Sequence, residues 1–86
     1  MYTVLFSKRA IKDRDLLKAA GLSDKARLLC KILANNPFQN PPPYESLVGD
    51  LKGSYSRRIN VHHRLVYEVD KEKQTVYVLR MWSHYE

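Results

Sequence analysis

Between Gly53 and Val69 the chain reads Gly-Ser-Tyr-Ser-Arg-Arg-Ile-Asn-Val-His-His-Arg-Leu-Val-Tyr-Glu-Val, a strand-like stretch carrying three arginines and two histidines. Strands usually give such positions to β-branched and aromatic residues. An arginine fork bonds two oxygens of one phosphate at once, so Arg57, Arg58 and Arg64 are candidate phosphate ligands. Glu45 lies just after a run of prolines, and His84 and Tyr85 lie past the last strand-like segment. Cleavage of RNA by its own 2′-hydroxyl needs a base for the 2′ proton, a cation for the charge on phosphorus and an acid for the leaving 5′ oxygen. A carboxylate, an arginine and a histidine supply all three without a metal. Singly, a loop glutamate, a solvated arginine and a near-terminal histidine are ordinary surface residues. Only the combination points to phosphate chemistry.

Other chemistries find less support. His62 and His63 are adjacent, so on a strand they face opposite sides and cannot jointly hold one ion. No metal site and no cofactor are expected. Gly21, Gly49 and Gly53 are scattered, so no phosphate-cradling glycine loop exists. No nucleophile with a triad signature stands out. Cys30 is the only cysteine, which excludes an intrachain disulfide, fits a reducing compartment and reads as a small core residue in a helical pattern. The apolar opening Tyr2–Phe6 is shorter than a signal-peptide core, and no run approaches the ~18–20 apolar residues of a membrane span. The expectation is a cytoplasmic protein with no membrane partner.

The elements that must position these side chains follow from periodicity. At 86 residues the chain is a single domain, residues 1–86, with a thin core. Residues 2–6 read as a first strand. Ser7 is a plausible N-cap for a helix from Lys8 to Ala20, closed by Gly21, with Ala10, Ile11, Leu16, Leu17 and Ala20 to bury. Ser23 or Asp24 caps a second helix, whose apolar face holds Leu22, Ala26, Leu29 and Leu33 and is widened by Leu28 and Ile32. Pro37–Pro43 reads as a stiff extended connector, with Glu45 on a loop overhanging the sheet. Strands are expected over Ser54–Asn60, His63–Asp70 and Thr75–Trp82. The order β-α-α-β-β-β predicts an α+β fold, a helical hairpin packed on one face of a mainly antiparallel sheet. Alternation then puts Arg64, Val66 and Glu68 on one face and Leu65, Tyr67 and Val69 on the other.

Charge favours a polyanion. The formal net charge is +6. Residues 1–43 hold eight cations and three anions, against seven and six in residues 44–86. The helical half is therefore the electrostatic footprint, and the sheet half has the mixed charge of a site. On these residues alone a basic module that holds RNA without cutting it remains the alternative to an enzyme.

Pro-Tyr-Glu-Ser-Leu at 43–47, then Leu-Lys-Gly-Ser-Tyr-Ser-Arg-Arg-Ile-Asn-Val-His-His-Arg-Leu-Val-Tyr-Glu-Val at 51–69, then the closing Val-Leu-Arg-Met-Trp-Ser-His-Tyr-Glu, resembles the Txe/YoeB family of toxins in the RelE-like superfamily. That resemblance implies a microbial-ribonuclease-like fold and a ribosome-dependent, metal-independent mRNA endonuclease that cuts the message in the ribosomal A site. By motif, Glu45 corresponds to the family's general base, Arg64 to the transition-state arginine and His84 to the general acid. Tyr85 and Arg58 correspond to substrate-placing residues, with Arg57 and His63 weaker correspondences. The resemblance also implies a small acidic antitoxin of the Phd/YefM type and operator DNA contacted only through that complex, with an antitoxin-bound co-repressor that does not cut as the alternative to the enzyme. The sequence leaves the oligomeric state open, a homodimer being one of the assemblies open to it. Two departures are visible. Ser46 and Val48 stand where some relatives carry a lysine, and Glu86 follows the closing tyrosine.

Overall fold

In a computed structural model, which describes residues 1–82, the elements run β1 (Thr3–Phe6), α1 (Lys8–Ala19), α2 (Ser23–Asn35), β2 (Glu45–Ser46), β3 (Ser54–Arg58), β4 (Arg64–Asp70) and β5 (Thr75–Arg80), with a 3-10 turn at Gly49–Leu51. Ser7 starts α1 as its sequence predicts. Its hydroxyl accepts from the Ala10 amide at 3.0 Å and donates to the Leu79 carbonyl at 2.8 Å, so the cap also ties α1 to β5. The helix stops where the Leu22 amide closes on the Leu17 carbonyl at 2.8 Å and the Gly21 amide on that of Lys18 at 3.1 Å. Gly21 takes φ +73°, a left-handed conformation that costs glycine little. The chain thereby reverses into α2.

The buried stripe of α1 is Ala10, Asp13 and Leu17, spaced three and four. Ile11 and Leu16 flank it and stay about half exposed, and Ala20 is exposed, so the predicted apolar face is narrower than expected. On α2 the expected face of Ala26, Leu29 and Leu33 is buried, with Leu22 and Ile32 packed beside it. Leu28 lies well round the helix from that stripe and is exposed. The cap of α2 also differs. Leu22 occupies the N-cap without a side-chain bond, and Asp24 instead pairs with Arg27 at 3.2 Å.

The five strands lie in the order β1-β5-β4-β3-β2. β1 runs parallel to β5 and every other pair is antiparallel, which is the mainly antiparallel sheet expected. Both helices cover one face. There Ala10, Leu17, Ala26, Leu29 and Leu33 meet Leu65, Tyr67, Val76 and Val78, with Ile59 and Met81 closing the core. Each fully buried Leu, Ile, Val or Met side chain here contributes about 1.5–3 kcal/mol. The other face carries Ser54, Ser56 and Arg58 from β3 opposite Glu68, Val66 and Arg64 from β4.

Two connections depart from expectation. The Pro37–Pro43 segment is not a straight spacer, for the carbonyls of Pro37, Gln39 and Pro42 converge on one guanidinium, that of Arg57. Glu45 is not on an overhanging loop. It begins a two-residue edge strand that pairs with β3, Glu45 opposite Ser56 and Ser46 opposite Tyr55. The β3–β4 strands are shorter than predicted because the Asn60 side-chain oxygen accepts from the His62 amide at 2.9 Å and the His63 amide at 2.7 Å, turning the chain early. β5 likewise ends at Arg80 rather than Trp82.

Candidate active site

On the face the helices leave uncovered, one corner gathers the polar residues of β2, β3 and β4. Alternation brings them there: Glu45 pairs with Ser56, and Ser56 with Val66, the neighbour but one of Arg64 on the same side of β4. Arg64 Nη1 donates to Glu45 Oε2 at 3.2 Å and to the Ser56 hydroxyl at 3.1 Å. The Arg64 side chain is 16% exposed and that of Glu45 66%, so the arginine is held down while the carboxylate stands in solvent. Arg58 sits directly opposite Arg64 in the β3–β4 register and is exposed. A carboxylate, a seated guanidinium and a second guanidinium thus share one polar corner. His84 and Tyr85 lie outside the described residues.

Arg57 is a correction to the expected substrate contacts. Its side chain is on the covered face and fully buried. Nη1 donates to the Pro42 carbonyl at 2.6 Å, and Nη2 to those of Pro37 at 2.9 Å and Gln39 at 2.8 Å. The guanidinium lies 5.0 Å from the centre of the Tyr44 ring and 6.0 Å from that of Tyr67, whose hydroxyl donates to the Pro37 carbonyl at 3.0 Å. Burial pushes the Tyr67 phenol up, with Arg57 pulling the other way. A buried cation whose two terminal nitrogens are spent on three carbonyls, and which lies beside two tyrosine rings, holds the connector. What it holds is the segment leading into β2, and so the position of Glu45.

His63 is also enclosed. The residue is 8% exposed, and its ring stacks on Trp82, centroids 3.7 Å apart and planes 20° from parallel. Its place is against Trp82, just past the end of β5.

One residue of consequence carries no motif. Asp13, 3% exposed on the inner stripe of α1, accepts through Oδ2 from Arg80 Nε at 3.1 Å, from the Met81 amide at 2.9 Å and from the Trp82 amide at 3.2 Å. The available signal was positional: a carboxylate three residues after Ala10 and four before Leu17 occupies a core site.

Away from this corner, a cavity of about 200 Å³ lies between the helices and the sheet, lined by Phe6, Arg14, Leu17, Ala26, Cys30 and Met81 among others. Burial pushes the Cys30 thiol up to about 11, with Arg14 opposing, so at neutral pH it is a protonated packing residue. Among the described residues no cluster of His, Cys, Asp or Glu could hold a metal ion, and no helix is long and apolar enough to cross a membrane.

Two helices on one face of a five-stranded sheet is an architecture found among small bacterial toxins. The YoeB/ParE toxin from Agrobacterium tumefaciens superposes with a TM-score of 0.85 at 28% identity, covering 96% of this chain and 99% of that one. The toxin in the YoeB-YefM complex from Staphylococcus aureus does so at 0.81 and 31% identity, with 99% of each chain covered. The YoeB-like toxins of bacterial type II toxin-antitoxin systems match residues 6–85, and the chain belongs to that family. Toxin YoeB of Synechocystis sp. (strain ATCC 27184 / PCC 6803 / Kazusa) is 42% identical over 57 residues, 66% of this chain and 59% of that relative. The match spans somewhat under two thirds of the relative's length.

Proposed function

We propose that this chain is a ribosome-dependent endoribonuclease, the toxin half of a type II toxin–antitoxin pair, which cuts mRNA in the ribosomal A site and so halts translation. The observation that carries the reading is the Glu45–Arg64–Ser56 cluster on the uncovered sheet face, with Arg58 across from it. Glu45, largely in solvent, takes the proton of an RNA 2′-hydroxyl. The resulting alkoxide attacks the adjacent phosphorus, and the negative charge that builds on its oxygens is met by Arg64, which Ser56 holds in place before the substrate arrives. His84 gives its proton to the departing 5′ oxygen, Tyr85 helps to place the nucleotide, and Arg58 holds the backbone. The products are a 2′,3′-cyclic phosphate and a 5′-hydroxyl. No step calls for a metal or cofactor.

The partner expected is an acidic antitoxin of the Phd/YefM type. A net charge of +6 and the exposed Arg58 suit such a segment as well as they suit RNA, and the Staphylococcus aureus relative was solved with YefM. Operator DNA is met through that complex, in the cytoplasm.

Primer extension on a defined mRNA tests the reading, with purified protein, with and without translating ribosomes, and with EDTA. Cleavage at A-site positions only when ribosomes are present, insensitive to EDTA and lost in Glu45→Ala, is the expected result. An intact message in every lane from folded protein overturns it and leaves a basic binding module.

A further inference from the structure

The cavity between the helices and the sheet changes character from its floor to its mouth. Its buried lining is apolar: Leu17 of α1 at 1% exposure, Ala26 of α2 at 6% and Met81, just past β5, at 1%. Phe6, at the end of β1, and Cys30 of α2 are half-buried beside them. The two exposed members of the lining are both cations, Arg14 of α1 and Arg27 of α2. The Arg14 guanidinium lies 5.4 Å from the centre of the Phe6 ring, and its charge acts on the Cys30 thiol of α2. Arg27 pairs with Asp24 at 3.2 Å, but both side chains stand largely in solvent, and a pair that exposed holds its cation weakly. Among the described residues that line the cavity there is no acid.

Size and charge together select an occupant. Protein interiors leave few voids larger than a water molecule. An apolar cavity of roughly 150 Å³ holds benzene, so about 200 Å³ takes a ring or a short alkyl chain with a small head group. Two guanidinium forks at the mouth match a carboxylate in shape and charge. A bare inorganic anion would leave the apolar floor unused, and a neutral hydrocarbon would leave the two cations unused. We propose that this cavity is a binding site for a small organic carboxylate. Its apolar body is seated on Leu17, Ala26 and Met81, and its charged end is held by Arg14 and Arg27. The site is built from other residues than the Glu45–Arg64–Ser56 corner, so it stands whether or not the chain cuts RNA. Because its walls come from both helices and the sheet layer, the ligand binds the folded chain and stabilises it by mass action.

Calorimetric titration of the full chain with phenylacetate and with hexanoate tests this, beside the neutral phenethyl alcohol and hexanol, and inorganic phosphate. Both carboxylates should bind with a Kd on the order of 0.1–1 mM, within the ceiling for ligands of about ten non-hydrogen atoms. The alcohols should bind about tenfold more weakly, and phosphate should bind more weakly than either carboxylate. Arg14→Gln and Arg27→Gln should each weaken the carboxylates about tenfold and leave the alcohols unchanged. Ala26→Leu fills the floor and should abolish binding of both classes in protein that thermal melts show folded. Should it fail to fold, the arginine variants, altered only at exposed positions, carry the test. Cys30 is the only cysteine and reads the location: bound phenylacetate should slow its alkylation by N-ethylmaleimide in proportion to occupancy. Carboxylates that bind no better than the alcohols or phosphate, that ignore both arginine substitutions, or that leave Cys30 alkylation unchanged overturn the inference. So does binding confined to a short acidic peptide with a central phenylalanine, which would make the cavity a seat for a protein side chain.

Discussion

Arg57 and Arg58 are neighbours in sequence, identical in chemistry, and on opposite sides of the sheet. The first is fully buried, its fork spent on the carbonyls of Pro37, Gln39 and Pro42. The second is exposed, opposite Arg64, in the corner where Glu45 stands. The difference comes from one step of strand alternation, which turns a candidate ligand into a fastening for a loop. A cationic motif therefore does not translate residue by residue into a cationic site. Half of it here faces the proposed site, and the other half holds up the wall beside it.

Substitutions can break this contrast. The largest effects belong to the proposed acid and base: Glu45→Ala and His84→Ala should each lower ribosome-dependent cleavage by about 10²–10⁴-fold, read by single-turnover assay. Glu45→Ala should barely alter urea stability, because its pairing with Arg64 is solvent-exposed and of a kind worth about 0–1 kcal/mol. Arg57→Ala should behave in the opposite way. Three carbonyls lose a charged donor in a dry site, and the urea midpoint should drop by the equivalent of about 3 kcal/mol. Arg58→Ala should leave that midpoint within about 0.5 kcal/mol, weaken RNA binding across sequences and lower the salt slope by about one. If both arginines proved to matter only for stability, or only for RNA, the division would fail.

Smaller effects sharpen the picture. Ser56→Ala removes the hydroxyl that seats Arg64 and should cost about 1 kcal/mol, roughly a fivefold slower cleavage if the loss falls wholly on the barrier. Smallest is an alkaline effect in the helical layer. Cys30 keeps its proton to about pH 11 when folded and to about 9.0 otherwise. Between those values the unfolded chain binds fewer protons than the folded one, so stability falls as pH rises. Comparing Cys30→Ala with the parent by urea melts from pH 8 to 11 should show that part of the decline removed, on the order of 1 kcal/mol given the partial exposure of the thiol.

Much of the framework was legible before any coordinates. The Ser7 cap, the Gly21 stop, the stripe of Ala26, Leu29 and Leu33, and the three long strands all follow from local rules that act over a few residues. So does the shared face of Arg64 and Val66. The misses have a common origin. Ile11, Leu16 and Leu28 are apolar residues that lie to the side of the buried helix stripes, and residue type alone does not report how wide the buried face will be. Asp13 was passed over because a charged residue was not counted toward a buried stripe. The edge strand at Glu45 was missed because two residues carry too little pattern to declare themselves.

What the sequence determined by itself is the kind of parts present: their order, their faces, the excess of cations, and the motifs that tie the chain to its family. Short-range sterics and periodicity specify these. Which arginine meets solvent, where the proline segment bends, and which helix residue grips the end of β5 were decided only by tertiary structure. Each depends on donors and acceptors brought together from positions far apart in the chain, Arg80 with Asp13 or Arg57 with Pro37. No local rule carries that distance, because the free energy of such a contact exists only once the layers have closed around it.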